Sequence, residues 1–367
     1  MNRPTHVVLA AGGTAGHIEP ALNLADALTQ LEPGIEITVI GGEQGLETTL
    51  VPARGYALQT VPAVAMPRKL SIDLLTVGPK VHKAKKQSGE ILDALDADVV
   101  VGFGGYAALP AYLATKKRQC GLVIHEANAT AGLANKVGAR FADSVLVSVA
   151  GSLSGRSLAL PLRTAISNLD RSALRASARD YFGLNQSDPV LLVFGGSQGA
   201  QHINTVLRES LEQLLADGIQ VLHAYGAKND APALRPGYVA VPDVDRMDLA
   251  YAAADLGLTR AGAMTVAEVS AVGLPTIFVP LPIGNGEQRL NAISLVQAGG
   301  GLLIDNADLT AEWLTNTVSS LVKDSDELQR MSLAALTCGV RDSGLQMAAE
   351  VLRVAAVYQT KKGVLRG

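Results

Sequence analysis

Cysteine is nearly absent: Cys120 and Cys338 are the only two among 367 residues, far apart and outside any Cys-x-x-Cys pair. That excludes a disulfide scaffold and a zinc–cysteine cluster, and it predicts a reducing compartment. Aromatic residues are few, with one Trp, eight Tyr and five Phe, too few rings for a base-stacking surface. Neither sign of charge prevails. Against 34 Asp and Glu stand 31 Lys and Arg, a net −3 at pH 7, so nucleic acid is not an expected partner. Long apolar runs are missing too. Met1-Asn2-Arg3-Pro4 leads into a short apolar stretch that breaks at glycines, which predicts no signal peptide. Val269–Gly286 carries Pro275, Pro280 and Pro282 and reads as buried strand and loop rather than a spanning helix.

What the chain does hold is glycine and alternation. Its 37 glycines and 48% apolar content suit two cores, at roughly 150 residues per domain. Apolar runs at His6–Ala11, Ile35–Ile40, Asp98–Val101 and Gly121–Ile124 alternate with helical spacing over Ala21–Leu31 and Val81–Leu95. Runs apolar at consecutive positions predict strands buried on both faces, as in parallel sheets. The pattern restarts with Pro189–Phe194, Gly218–His223, Asp255–Leu258, Pro275–Val279 and Gly301–Ile304. Each half opens alike, with a strand, a glycine turn and a helix. The turn is Gly12-Gly13-Thr14-Ala15-Gly16 in the first half and Gly195-Gly196-Ser197-Gln198-Gly199 in the second. The prediction is an α/β protein of two doubly wound, Rossmann-like domains, residues 1–162 and 163–342. A final helix over 343–358 should return to the first domain, and ligands should bind at strand carboxyl ends and in the cleft between domains.

Several constellations suit chemistry. Gly12–Gly16 ends in His17, with Pro20 just inside the next helix. Gly-x-Gly-x-x-Gly is absent and so is Gly-Lys-Ser/Thr, so this is neither a dinucleotide fingerprint nor a Walker loop. It reads equally as a plain βα turn or as a loop that brings backbone against a phosphate or sugar, with His17 suited to general-base work. His125-Glu126-Ala127-Asn128 and Gly102-Phe-Gly-Gly-Tyr106 end two further strands. Thr259–Glu268 starts a helix after a strand. Ala263, Met264 and Thr265 would offer amides to a diphosphate, and Glu268 a carboxylate to two ribose hydroxyls. Glu287, Gln288 and Asn291 open another helix with groups able to read sugar hydroxyls.

Two alternatives fail on inspection. Gly195–Gly199 fits the Gly-x-Ser-x-Gly elbow of hydrolases, but an acid and then a histidine must follow the serine, and the last histidine is His223. Ser197 is expected to face a phosphate instead. Asp-x-Asp occurs at Asp96/Asp98, Asp243/Asp245 and Asp324/Asp326, too often to mark a metal, and helix termini can neutralise a diphosphate, so no metal is assigned. Met66–Lys86 mixes six Lys and Arg with Leu70, Ile72, Leu74, Leu75 and Val77. It reads either as a solvated helix with a core stripe or as a patch on an anionic membrane, at about 1 kcal/mol per basic residue.

In order along the chain, Gly12–His17 with Pro20, Gly102–Tyr106, His125–Asn128 with Asn135, Gly195–Ala200, Arg260–Thr265 with Glu268, and Gln288 with Asn291 closely resemble the motifs of the MurG family. These are UDP-N-acetylglucosamine transferases that turn lipid I into lipid II in peptidoglycan synthesis, and the resemblance spans essentially the whole chain. It implies the GT-B fold, two Rossmann-like domains facing across a cleft, and an inverting glycosyltransferase without cofactor. It implies a UDP-GlcNAc donor, with Val244 against uracil and Glu268 on the ribose. Ser197, Met247, Met264, Thr265 and Arg163 would border the diphosphate, and Asn128, Ala263 and Gln288 the GlcNAc. Thr14, Ala15 and Gly16 would also line the donor. Gly13, Thr14, His17 and Tyr106 would face lipid I, with His17 as catalytic base and Glu126 as runner-up. A peripheral place on the cytoplasmic face of the cell membrane, at its anionic surface, follows from the same resemblance, as do cell-wall and division proteins as partners. Ala15 and Ala127 depart from the family's Gly and Gln, and Leu160-Pro161-Leu162 precedes Arg163 where Gly-Asn-x-Val is usual. A UDP-GlcNAc 2-epimerase, another GT-B transferase or a non-catalytic nucleotide-sugar binder are the alternatives.

Overall fold

The computed structural model describes residues 3–62, 73–105, 107–196, 200–282 and 286–366. The chain divides into two compact units, Met1–Leu162 with Asp342–Gly367, and Arg163–Arg341. In the first, the order is β1 (His6–Ala11), α1 (Ala15–Leu31), β2 (Glu36–Gly42), α2 (Glu47–Ala53), β3 (Ala57–Val61), α3 (Asp73–Ala94), β4 (Val99–Gly104), α4 (Ala108–Thr115), β5 (Gly121–Glu126), α5 (Leu133–Gly138), β6 (Ser144–Val147) and β7 (Arg156–Ser157). The second holds α6 (Thr164–Ser167), α7 (Arg171–Phe182), β8 (Val190–Phe194), α8 (Gln201–Ala216), β9 (Gln220–Ala224), β10 (Tyr238–Val241), α9 (Met247–Ala253), β11 (Leu256–Thr259), α10 (Ala263–Val272), β12 (Thr276–Phe278), α11 (Glu287–Gln297), β13 (Gly301–Leu303), α12 (Ala311–Lys323) and α13 (Ser325–Cys338). The chain then returns to the first unit as α14 (Ser343–Arg366).

Among the described residues each unit carries one parallel sheet, ordered β3-β2-β1-β4-β5-β6-β7 and β10-β9-β8-β11-β12-β13. The central strands are buried on both faces by alternation. Val7, Leu9 and Ala11 pack with Ile18, Leu22 and Leu28 of α1 and Met347 and Val351 of α14, whereas Val8 and Ala10 join Tyr112 and Leu122 on the other side. α14 runs eight residues beyond the expected Tyr358. Its Ser343 hydroxyl donates to Leu160 O at 2.6 Å, and its Lys362 ammonium donates to Ala97 O at 2.8 Å. A side chain at Gly121 would meet Val354 at 2.5 Å, so glycine lets this helix lie against β5.

Some boundaries differ from the sequence reading. α1 starts at Ala15 and includes Pro20, so the glycine turn is shorter than expected. Val269–Val272 ends a helix, and only Thr276–Phe278 of the expected longer run is strand. β3 and β7 at sheet edges were not anticipated, because their exposed, partly polar patterns lack continuous apolar runs, and neither were β6 and β10, whose apolar runs are three and four residues long.

Both sheets reverse their order between the first and fourth strands, β1/β4 and β8/β11. Loops leave in opposite directions there and open a crevice at the strand carboxyl ends. The glycine turn after β1 and the segment between β11 and α10 lie at these two points.

Candidate active site

In the first unit, β1 turns through Gly12 and Gly13 into α1. Gly105, at φ +91°, comes so close that a Cβ there would lie 2.2 Å from the Gly12 carbonyl oxygen; only glycine satisfies both constraints. Under this turn lies Glu47, the buried first residue of α2, which accepts from Gly42 N–H at 2.6 Å and Gly13 N–H at 3.3 Å. No motif marks Glu47. The available signal was the glycines at 41, 42 and 45, since a side chain at 41 or 45 would strike it.

Thr14 is the N-cap residue of α1, yet its hydroxyl makes no capping bond. It meets His17 Nδ1 at 3.0 Å instead. Ala15 and Gly16 form the first turn between them. Burial pulls the His17 pKa below 6.5, while the charge of Glu126 and the Gly12 carbonyl pull it back up. Its Nε2 looks onto Gly104, where a Cβ would stand 3.4 Å away.

Glu126 ends β5 with both oxygens engaged. Oε1 accepts from Asn128 N–H at 2.9 Å, and Oε2 accepts from Gly132 N–H at 3.0 Å and Asn135 Nδ2 at 2.9 Å. A carboxylate so held braces the turn that carries Asn128 and would have to give up these bonds to act as a base. His125 is fully buried with Nε2 3.1 Å from Leu158 O, and burial pulls its pKa down to about 4. It is a neutral core residue. Tyr106 lies outside the described residues, so the structure brings together Gly13, Thr14, Ala15, Gly16, His17, Glu126 and Asn128.

In the second unit, α10 begins at Ala263 after N-cap Gly262, which has no side chain to close the helix end. The peripheral helices α7, α12 and α13 are capped by the side chains of Asp170, Thr310 and Asp324. The first turn of α10, Ala263, Met264 and Thr265, thus turns its amides and the positive end of the helix dipole outward at the switch point. Glu268 follows one turn on, buried, and accepts from the Tyr251 hydroxyl at 2.8 Å. Burial and the Glu268 charge push the Tyr251 pKa well above 10, and the charge of Arg163, N-cap residue of α6, acts on the same phenol in the opposite sense. Val244 and Met247 lie just before and at the start of α9, with Val244 buried. Gln288, in the first turn of α11, accepts from Leu281 N–H at 2.9 Å, and the buried Asn291 lies 3.4 Å from Ala261 O. Ser197 lies outside the described residues. Tyr251 is the residue the sequence reading missed; it sits on a short helix without a motif.

Two of the three Asp-x-Asp pairs have other employment: Asp98 is held by Arg3 and Lys362, and Asp324 caps α13. No group of three or more His, Cys, Asp or Glu among the described residues could hold a metal ion.

Two family models match, the glycosyltransferase family 28 N-terminal domain over residues 7–147 and its C-terminal domain over 190–347. The UDP-N-acetylglucosamine–N-acetylmuramyl-(pentapeptide) pyrophosphoryl-undecaprenol N-acetylglucosamine transferase of Mycobacterium sp. (strain KMS) is 56% identical over 97% of both chains. The chain belongs to glycosyltransferase family 28. A relative of the same name from Streptomyces coelicolor is 54% identical, over 96% of this chain and 98% of its own. The crystal structure of MurG from Acinetobacter baumannii matches with a TM-score of 0.74 at 27% identity, over 95% of this chain and 100% of that one. Two Rossmann-like domains of GT-B type are thus the architecture of this family 28 chain. A UDP-N-acetylglucosamine 2-epimerase, at 16% identity and a TM-score of 0.63, shares the fold alone.

Proposed function

We propose that this chain transfers GlcNAc from UDP-GlcNAc, with inversion, to the 4-hydroxyl of MurNAc in undecaprenyl-diphospho-MurNAc-pentapeptide, lipid I, giving lipid II for peptidoglycan synthesis. The observation that carries this reading is 56% identity, over 97% of both chains, to a relative named for that transfer. The two half-sites supply chemistry to match.

In the first unit, His17 is the base. With Nδ1–H donating to Thr14 Oγ1, the Nε2 lone pair takes the proton of the attacking hydroxyl. The fixed charge of Glu126 stabilises the imidazolium that forms. Gly13 and Thr14 border the acceptor, as does Tyr106 by family likeness, and Ala15, Gly16 and Asn128 the sugar being moved. In the second unit, the outward amides of Ala263, Met264 and Thr265 receive the diphosphate, whose charge grows as the glycosidic bond breaks, with Arg163 and Met247 beside it and Ser197 assigned there by family likeness alone. Glu268, oriented by Tyr251, takes the ribose hydroxyls. Val244 packs on uracil, and Gln288 reads GlcNAc. No divalent ion is required in this scheme.

No helix among the described residues is long and apolar enough to cross a membrane. The basic face of α3, with Lys80, Lys83 and Lys86 exposed, suits peripheral attachment to an anionic bilayer, where a lipid-linked acceptor resides. Residues 66–72 of that stretch lie outside the described residues. The deciding assay supplies labelled UDP-GlcNAc and lipid I with and without EDTA. Labelled lipid II and UDP in equal amounts, insensitive to EDTA, are expected. Formation of UDP-ManNAc from the donor alone, or binding without UDP release, would overturn the reading.

A further inference from the structure

We infer that Tyr112, which belongs to none of the sequence motifs, is a positioning residue for the base His17. The inference rests on the reading of His17 as base.

Tyr112 lies on α4 with no exposed surface. Its phenol oxygen accepts from Gly104 N–H at 2.9 Å, and its hydroxyl donates to Asn135 Oδ1 at 3.0 Å. Asn135 Nδ2 in turn donates to His125 O at 3.1 Å and to Glu126 Oε2 at 2.9 Å. One buried chain therefore runs from the backbone facing His17, through the phenol and the carboxamide, to the carboxylate whose charge acts on His17. One end faces the base and the other acts on it through charge: a Cβ on Gly104 would lie 3.3 Å from His17 Cδ2, and the Glu126 carboxylate raises the His17 pKa. The fold also clears space for this ring. A side chain at Gly102 would fall 2.1 Å from Tyr112 Cε1, and one at Gly138 would fall 2.7 Å from Cδ2. Phenylalanine would fill the same volume, so what the hydroxyl adds is the two bonds, and buried networks of this kind lose most when one link is cut.

The ionisable groups on the elements around His17 are Glu126 and His125 of β5, Tyr112 of α4, Glu47 of α2 and Glu19 of α1. Glu19 pairs with Arg54 at 3.7 Å, His125 is held neutral by burial, and burial pushes the Tyr112 phenol far up, so it never ionises. Glu47 is bound to backbone amides, and Glu126 is the charge that acts on the His17 ring. Without the phenol, Asn135 is no longer oriented toward Glu126. The carboxylate loses a donor that fixes its place and turns away from the imidazole, and with that negative charge farther off His17 becomes a weaker base.

The test is Tyr112→Phe, with Asn135→Ser cutting the same chain one link on. Donor KM should be unchanged in both, which also reports that they are folded. The plateau of kcat/KM for lipid I should fall about tenfold, a part of the roughly 10²–10⁴-fold that general-base catalysis supplies. The acidic limb of the profile, and the titration of His17 followed by imidazole NMR, should both move to lower pH. A limb and titration that stay in place in both variants, whatever the plateau does, would overturn the inference and leave Tyr112 a packing residue. His17→Ala separates the two ideas. If it is inactive while Tyr112→Phe behaves as wild type, only the relay fails; if it turns over normally, the base assignment fails.

Discussion

Replacing Glu268 by Gln probes the donor half-site through one charge. The amide keeps the shape and, through its oxygen, an acceptor for the Tyr251 hydroxyl that now lies 2.8 Å from the carboxylate. The fold is therefore spared the unpaired buried phenol that Glu268→Ala would leave, a cost of about 1–3 kcal/mol. What is lost is the ionic character of the bonds to the ribose. Bonds to a charged group are worth about 1.5–3 kcal/mol and neutral ones about 0.5–1.5 kcal/mol. One carboxylate oxygen is already shared with Tyr251, so the net loss is about 2 kcal/mol, or roughly 30-fold in Kd. Calorimetry with UDP and 2′-deoxy-UDP isolates the contact. The wild type should prefer UDP; in the variant that preference should shrink, and 2′-deoxy-UDP, which keeps only the 3′-hydroxyl bond, should weaken less than UDP. Equal weakening toward both ligands, or an unchanged Kd for UDP, would refute the ribose assignment.

His17→Ala should lower kcat by roughly 10²–10⁴ with donor affinity intact, and near-normal turnover would remove His17 from its role. Burial disfavours the imidazolium, so His17 stays in its basic form below pH 6.5 and the acidic limb of kcat/KM should fall beneath that value. Glu126→Gln should push the limb lower still, and a limb above 6.5 in the wild type would contradict the assignment. Gly105→Ala should abolish activity more than it lowers thermal stability, because its Cβ would meet the Gly12 carbonyl in a left-handed conformation; wild-type kcat/KM would argue against a fixed turn. For His125 the folded pKa is depressed, from 6.5 to about 4. The unfolded chain therefore binds the proton first, and stability, full above pH 6.5, should fall by about 3 kcal/mol as pH drops to 4. A urea midpoint constant across that window would show that His125 is not buried neutral.

The first glycine turn and the start of α10 were legible because a βα switch point leaves a local trace: apolar strand, small residues, helix. His17, Glu126, Glu268 and Gln288 stood within such traces. What each carboxylate does was less legible. Glu126 reads as a candidate base in sequence, and only the three donors upon it show a brace, two of them brought from positions 132 and 135. Tyr112 and Tyr251 left no trace, since each acts on a partner 23 or 17 residues away through a bond that only packing creates. Glu47 was hidden for the same reason, its role set by amides of the turn after β1 and the end of β2. The edge strand β3 escaped because its exposed alternate positions, with Gln59 and Thr60, interrupt the apolar run that marks the central strands.

The most direct measurement is a crystal structure with UDP-GlcNAc bound. The pyrophosphate should sit within about 3 Å of the amide nitrogens of Ala263, Met264 and Thr265, with no metal bridging it to aspartate. A pyrophosphate placed elsewhere, or held by a divalent ion between carboxylates, would contradict the account.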